Sequence, residues 1–215
     1  MVLLLRHSDR PPLPPGGGGQ RVPLTPYGVR RAAKLGELLH GRVERAAAST
    51  ARRCIQTASV VLEAAGQEPS VREHDVLGMN GPFVKELGLA RRFSDQLGMG
   101  ALVRALISGQ ELKGMRSLHE GTSILLHLIR MRLGLTRDPS RQAEPGVTLF
   151  VSHDAIIMPV IATCTGDHFE GSWLDPLAGA AFWRDGDQLV LGWQGQLFEV
   201  HDPLPTPKRP SSALQ

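Results

Sequence analysis

The chain has 215 residues, 41% of them hydrophobic and 21% charged, enough to bury a sizeable core within one α/β domain carrying an insertion. A net charge of +3 and a pI near 9.2 fit an anionic substrate, but with few aromatics they are too mild for a nucleic-acid binder. Two cysteines, Cys54 and Cys164, rule out a disulfide framework and read as small core residues, and no apolar run is long enough for a membrane span or signal-peptide core. A cytoplasmic protein without a membrane partner is therefore expected.

The first element is Val2-Leu3-Leu4-Leu5, a short buried strand that runs into Arg6-His7-Ser8-Asp9-Arg10 before Pro11 and Pro12 stop it. In α/β sheets, ligands bind just past the carboxyl ends of strands. Two guanidiniums beside an imidazole oppose a metal cation and suit phosphate, which arginine grips with paired, coplanar donors. They also disfavour protonation of the imidazole, so His7 stays neutral and nucleophilic. By itself the pentapeptide reads better as a solvated surface turn, and two later stretches change that.

A Pro-rich segment and Gly16 to Gly19 follow. No Gly-Lys-Ser/Thr comes after them, which excludes a P-loop and leaves a flexible loop bordering the site. Thr25 as N-cap and Pro26 at the first helical position open a helix to about His40, with Val29, Ala32, Ala33, Gly36 and Leu39 on its apolar face. Ala46 to Ser49 is a short strand candidate that a helix reading claims equally. From Ser49 as N-cap, a second helix runs to Gly66, with Cys54, Ile55, Ala58, Val61, Leu62 and Ala65 inward. Arg53 falls in its first turn, where free amides and the helix dipole favour an anion.

Residues 67–145 are the least regular third and read as a helical insertion beside the sheet. One helix spans Leu97 to Ile107 with glycine breaks at Gly98 and Gly100, and a cleaner one carries Ile124, Leu128, Met131 and Leu135. Val147 to Val151 is the strongest strand and empties into Ser152-His153-Asp154, followed by an apolar helix ending near Gly166. Adjacent residues diverge, so Ser152, His153 and Asp154 cannot form a serine-hydrolase triad. Ala180 to Arg184 and Gln188 to Leu191 form a hairpin around Asp185-Gly186-Asp187. The tail over residues 203–215, with Lys208, Arg209 and four prolines, is expected to be disordered, leaving one domain over residues 1–202.

Three motifs in this order, Arg6-His7-x-x-Arg10, Ser49-x-x-x-Arg53-x-x-Gln56-Thr57-Ala58 and Ser152-His153-Asp154, resemble the histidine phosphatase superfamily, which includes the cofactor-dependent phosphoglycerate mutases. Leu24-Thr25-Pro26-x-Gly28 is similar as well. The resemblance covers residues 2–66 and 147–165 well, the carboxyl hairpin weakly and the insertion hardly at all. One departure is Ser8, where the family has glycine and where a Cβ can crowd the phosphate.

The resemblance implies a three-layer α/β/α fold with a mostly parallel central sheet and a helical insertion. It also implies a phosphomonoester hydrolase that needs no cofactor and no metal. In that reading His7 is the nucleophile and Arg6, Arg53 and His153 hold the phosphoryl oxygens. Arg10 and Ser8 bind substrate, and Asp154 protonates the leaving group. Glu73, Asp75 and Glu120 are alternative donors, as the mutase branch uses a glutamate. The expected partner is a small phosphorylated substrate; neither its identity nor the oligomeric state is legible. Rival readings are a phosphate-binding regulatory protein, a phosphomutase, and a metal-dependent phosphohydrolase with His7, His74-Asp75 and His153-Asp154 as ligands.

Overall fold

The computed structural model describes residues 1–14, 19–78, 80–135 and 146–201. Gly16 to Gly18 of the glycine run, residues 136–145 of the insertion and the 203–215 tail lie outside the described residues. Seven strands form one sheet: β1 (Val2–Arg6), β2 (Val43–Ala48), β3 (Val71–Glu73), β4 (Val147–Ser152), β5 (Gly179–Asp185), β6 (Gln188–Trp193) and β7 (Gln196–Val200). The helices are α1 (Pro26–Leu38), α2 (Arg52–Ala64), α3 (Leu87–Leu97), α4 (Met99–Ile107), α5 (Leu118–Arg132) and α6 (Asp154–Thr165).

In space the strands run β3-β2-β4-β1-β5-β6-β7. The first four are parallel, and every pairing from β1 to β7 beyond them is antiparallel, so the sheet is mixed and the expected mostly parallel sheet is borne out only in part. The reason lies in the connections: two-residue turns link β5 to β6 and β6 to β7, and such turns join only antiparallel neighbours. The sequence reading contains neither β3, a three-residue edge strand, nor β7, which lies mostly exposed.

The three layers follow from alternation along buried strands. Val2 and Leu4 of β1, with Phe150 of β4, face a core built with α4, α5 and α6. Leu5, Val147, Leu149 and Val151 face the other core, closed by Ala32 of α1 and by Cys54, Ala58, Val61 and Leu62 of α2. Both faces of β4 are therefore buried, as its unbroken apolar run requires. Thr25 caps α1 by accepting from Gly28 N–H, with Pro26 at the first position.

Two local expectations are corrected, and one left open is decided. The helix expected over Leu97 to Ile107 is the junction of two, α3 and α4, broken at Gly98, whose φ of +76° suits a residue without a Cβ; Gly100 stays inside α4. The ambiguous segment from Ala46 is strand, the last three residues of β2, which ends at Ala48, one residue short of Ser49. Finally, α2 begins at Arg52 with Ala51 as N-cap and no side-chain cap, so Ser49 is not the cap. No helix among the described residues is long and apolar enough to cross a membrane. Both cysteines are free, Cys54 buried and Cys164 half-buried.

Candidate active site

The parallel register of β1 and β4 builds the site. Arg6 pairs with Ser152, so the two residues that leave the sheet next, His7 and His153, emerge side by side. His7 N–H donates to Ser152 O at 3.0 Å, and the two imidazoles meet edge to face with centroids 5.5 Å apart. Both rings are almost fully buried.

His7 Nδ1 lies 2.7 Å from the carbonyl of Ser8, an acceptor only, so Nδ1 carries the hydrogen and the neutral ring keeps its lone pair on Nε2. Burial pushes its pKa down to about 4, with Arg53 and Arg6 adding to the shift against the Ser8 bond and Asp154. His153 accepts from Arg53 Nη2 at Nδ1 (3.1 Å) and donates from Nε2 to Ser49 Oγ (2.9 Å). Burial, then Arg53, His7, Arg10 and Arg6, hold its pKa well below the ordinary value. Ser49 thus orients His153 where the sequence suggested a helix cap.

Three guanidiniums surround the rings. Arg53 projects inward from the first turn of α2 and donates from Nη1 to Gly19 O at 2.8 Å, which puts the glycine loop's end at the site; its neighbour Arg52 is exposed. Arg6 pairs from Nη2 with Asp154 Oδ2 at 2.9 Å and donates from Nη1 to Leu174 O. Arg10 donates to Pro11 O at 2.8 Å. The Nε atoms of Arg6, Arg10 and Arg53 are all buried without a hydrogen-bond partner. Buried donors are ordinarily paired, so three orphans in one cluster mark a place for an acceptor. Asp9 is taken by Arg31 at 2.9 Å. Among the described residues of the cluster, only Asp154 opposes the three arginines, which leaves two of those positive charges uncompensated, the charge of a phosphate dianion.

Asp154 starts α6. Its Oδ2 accepts from both Arg6 and the Trp173 indole N–H (2.8 Å), and its Oδ1 from Ala155 N–H. The sequence reading missed Trp173 and the segment before β5. That segment closes over Arg6, whose backbone N–H donates to Ala178 O and whose carbonyl accepts from Leu177 N–H. A lone Trp between Gly171-Ser172 and Asp175-Pro176 was the available signal, and it marks only a loop.

Ser8 is fully buried, and its hydroxyl turns to Gly28 O at 2.8 Å while its N–H donates to Thr57 Oγ1. Both of these bonds tie Ser8 to the protein's own backbone and side chains, at the start of α1 and in α2. Gly28 lies so close to Asp9 O that a Cβ there would sit 2.3 Å from it, so the turn after His7 and the start of α1 pack backbone on backbone.

The acidic residues of the insertion divide. Glu120 is exposed and closes a capping box with Ser117, whose bonds lower its pKa. Glu73 and Asp75 flank His74 at the carboxyl end of β3, where Glu73 pairs with Ala48, the residue before Ser49. The rival metal-ligand set is not gathered. His74 Nδ1 accepts from Val76 N–H, Asp75 is exposed, and among the described residues no three His, Cys, Asp or Glu groups are arranged to hold a metal.

Fold and site together define a three-layer α/β protein with a cationic, two-histidine cluster at the carboxyl edge of its sheet. Residues 2–85 match the family model of the histidine phosphatase superfamily (branch 1). No curated protein matches the chain. Among solved structures it is similar to phosphoglycerate mutase from Bacillus anthracis str. Sterne, at 15% identity over 91% of this chain and 89% of that one, with a TM-score of 0.55. It is similar to mycobacterial hydrolase 2 at 17% identity, 86% and 84% coverage and a TM-score of 0.56. For mycobacterial glucosyl-3-phosphoglycerate phosphatase the figures are 18%, 88% of each chain and 0.51. The chain carries the superfamily's sequence pattern over residues 2–85 and shares its fold. The first two motifs lie within the matched stretch; Ser152-His153-Asp154 lies beyond it and is brought beside them by the pairing of β4 with β1.

Proposed function

We propose that this protein is a phosphomonoester hydrolase working through a phosphohistidine on His7, within a single domain over residues 1–202. The observation that carries the reading is the cluster of three buried, unpartnered guanidinium Nε donors around an imidazole whose lone pair is on Nε2. The superfamily match over residues 2–85 supports it, since phosphatases belong to that superfamily.

In this reading the phosphoryl group settles among Arg6, Arg10 and Arg53, which neutralise charge building on its equatorial oxygens. His7 Nε2 attacks phosphorus in line, the bond to the leaving oxygen breaks, and water then cleaves the phosphorus–nitrogen bond. An oxygen entering between Arg53 and His153 takes over the Arg53 donor, and the dianion favours a proton on His153. For the leaving oxygen's proton the sequence points first to Asp154. Its site-facing oxygen already accepts two donors, which instead suits a brace for Arg6. Glu120 is spent on its cap, so Glu73 and Asp75 are the better donors.

The test is a screen of phosphomonoesters with released phosphate measured, run with and without a chelator. Turnover unaffected by the chelator supports the reading. Phosphate binding with no turnover of any ester favours a regulatory protein, loss of turnover with chelator a metal enzyme, and phosphoryl transfer that needs a bisphosphate primer a mutase.

A further inference from the structure

At the β7 edge of the sheet, beneath the end of α6, lies a cavity of about 290 Å³ that the proposed chemistry does not use. Small-molecule sites occupy roughly 300–1,000 Å³, so this one suits a small ligand. The register of the edge strands builds its floor. Trp193 pairs with Gln196 and Leu191 with Phe198, so Trp193, Gln196 and Phe198 stand on one face, the two rings diagonal to each other. Leu189 and Leu191, of the same alternation, join the core that α6 closes. The carboxyl end of α6 and the turn after it, Thr165 to Asp167, form the wall, and exposed Gln194 stands at the rim.

The electrostatics of the lining have one sign. Asp167 is its only charged residue. Its Oδ2 accepts from the Trp193 indole N–H at 2.9 Å and its Oδ1 from Phe169 N–H at 2.8 Å, neutral donors that fix the carboxylate and leave its charge in place. Among the described residues no cation pairs with it. Arg130 of α5, whose charge reaches Cys164, donates to Val200 O and His201 O. The carbonyl end of α6 adds the negative pole of the helix dipole, with no basic residue in the last turn to offset it. The faces of Trp193 and Phe198 attract cations through their quadrupoles. The side chains of Gln194 and Gln196 make no hydrogen bond among the described residues, so their oxygens are open acceptors. An inorganic cation wants a shell of oxygen ligands that aromatic faces cannot supply, whereas a large, weakly hydrated organic cation uses rings and carboxylate together.

We infer that the cavity between the end of α6 and the β6–β7 edge binds a small organic ammonium ion, its charge facing Asp167 and its alkyl groups against Trp193 and Phe198. The lining shares no residue with the His7 cluster, and the site does not depend on the hydrolase reading. It binds its ligand and does no chemistry on it.

The experiment titrates the full-length protein with choline and with its uncharged isostere, in which a tert-butyl group replaces trimethylammonium, read by the indole N–H signals in heteronuclear NMR. The chain has three tryptophans, and the signal lost in Trp193→Phe identifies the one in the cavity. Choline should shift the Trp193 signal along a saturating curve and leave that of Trp173, bonded to Asp154, in place. The isostere should bind roughly tenfold more weakly, as expected of a partly desolvated cation–ring contact beside a carboxylate. Asp167→Asn keeps an acceptor for the indole but removes the charge, and should erase that difference. Phe198→Leu keeps the bulk without the ring, and should weaken choline about threefold while the isostere changes little. Equal binding of choline and isostere by wild type overturns the proposal, as does unchanged choline binding in Asp167→Asn, or no Trp193 shift at millimolar choline. A preference for glucose over choline also overturns it, because the amides would then define a neutral ligand. The wild-type comparison needs no variant, so it decides the matter even where a substitution prevents folding.

Discussion

His7 gives its Nδ1–H to the carbonyl of Ser8 at 2.7 Å, a bond to its own chain neighbour that fixes which ring nitrogen can attack. With Nδ1 protonated, Nε2 is the nitrogen that keeps its lone pair, and the proposed hydrolase reading makes it the nucleophile. Rapid quenching at neutral or alkaline pH followed by mass spectrometry should therefore find phosphate on His7, and two-dimensional NMR should place it on Nε2. His7→Ala should abolish turnover while melting within a few degrees of wild type. Phosphate on any other residue, or an active His7→Ala protein, removes the nucleophile assignment.

The depressed pKa of His7, about 4, sets a pH window. Between that value and the ordinary 6.5 the unfolded chain binds a proton that the folded state refuses, so stability rises with pH there. The contribution is complete above about pH 6.5 and is lost as pH falls towards 4, at roughly 1.4 kcal/mol per unit for this one group. His153 shifts in the same direction. Histidine chemical shifts followed from pH 8 to 4 should show His7 still neutral at pH 5.5. A His7 midpoint near 6.5 contradicts the buried, cation-flanked geometry.

Ser8 shows where sequence reading reaches its limit. The motif pattern put His7, Arg53 and His153 in one place because strand ends and helix starts are local signals, and the β1–β4 register brought them together. The direction of the Ser8 hydroxyl was not legible, because it is set by Gly28 O, twenty residues on. Trp173 and Ser49 were illegible for the same reason, since each acts through a partner far along the chain, Asp154 and His153. The edge strands β3 and β7 escaped because, short or exposed, they lack the apolar alternation that marks a buried strand. Ser8→Gly should leave the turnover number within about twofold and cost about 1 kcal/mol of stability, the usual net worth of one hydrogen bond. A large rise in activity on that change would mean the hydroxyl does obstruct the pocket.

Arg52 and Arg53 are adjacent in sequence and opposite in circumstance, one exposed and the other 8% exposed against His153 and Gly19. On a simple phosphomonoester, Arg53→Ala should cost roughly 2–5 kcal/mol of transition-state stabilisation, the range for a buried charged clamp, read as a loss in kcat/KM. Arg52→Ala should stay within about twofold on the same ester. The reverse ranking would show that the first turn of α2 presents a different face to the substrate.

Asp154 poses the last question, whether it donates a proton or holds an arginine. Its Oδ2 accepts Arg6 Nη2 at 2.9 Å and Trp173 Nε1 at 2.8 Å, and a proton on that oxygen would have to displace one of them. Those bonds suit a carboxylate that fixes Arg6 against Leu174 O. A brace and an acid respond differently to the leaving group. A phenolic ester needs little protonation, so loss of a general acid spares it and slows an alkyl ester by roughly 10²–10⁴. A misplaced Arg6 weakens the grip on the phosphoryl group and slows both alike. Asp154→Asn should therefore lose similar factors on phenyl and alkyl phosphates, and Trp173→Phe, which removes the indole donor but keeps the ring's bulk, should lose a smaller factor in the same even pattern. The uneven pattern is expected of Glu73→Gln or Asp75→Asn at the end of β3. If Asp154→Asn instead spares the phenyl ester and cripples the alkyl one, Asp154 is the proton donor, and its bond to Arg6 must open during each turnover.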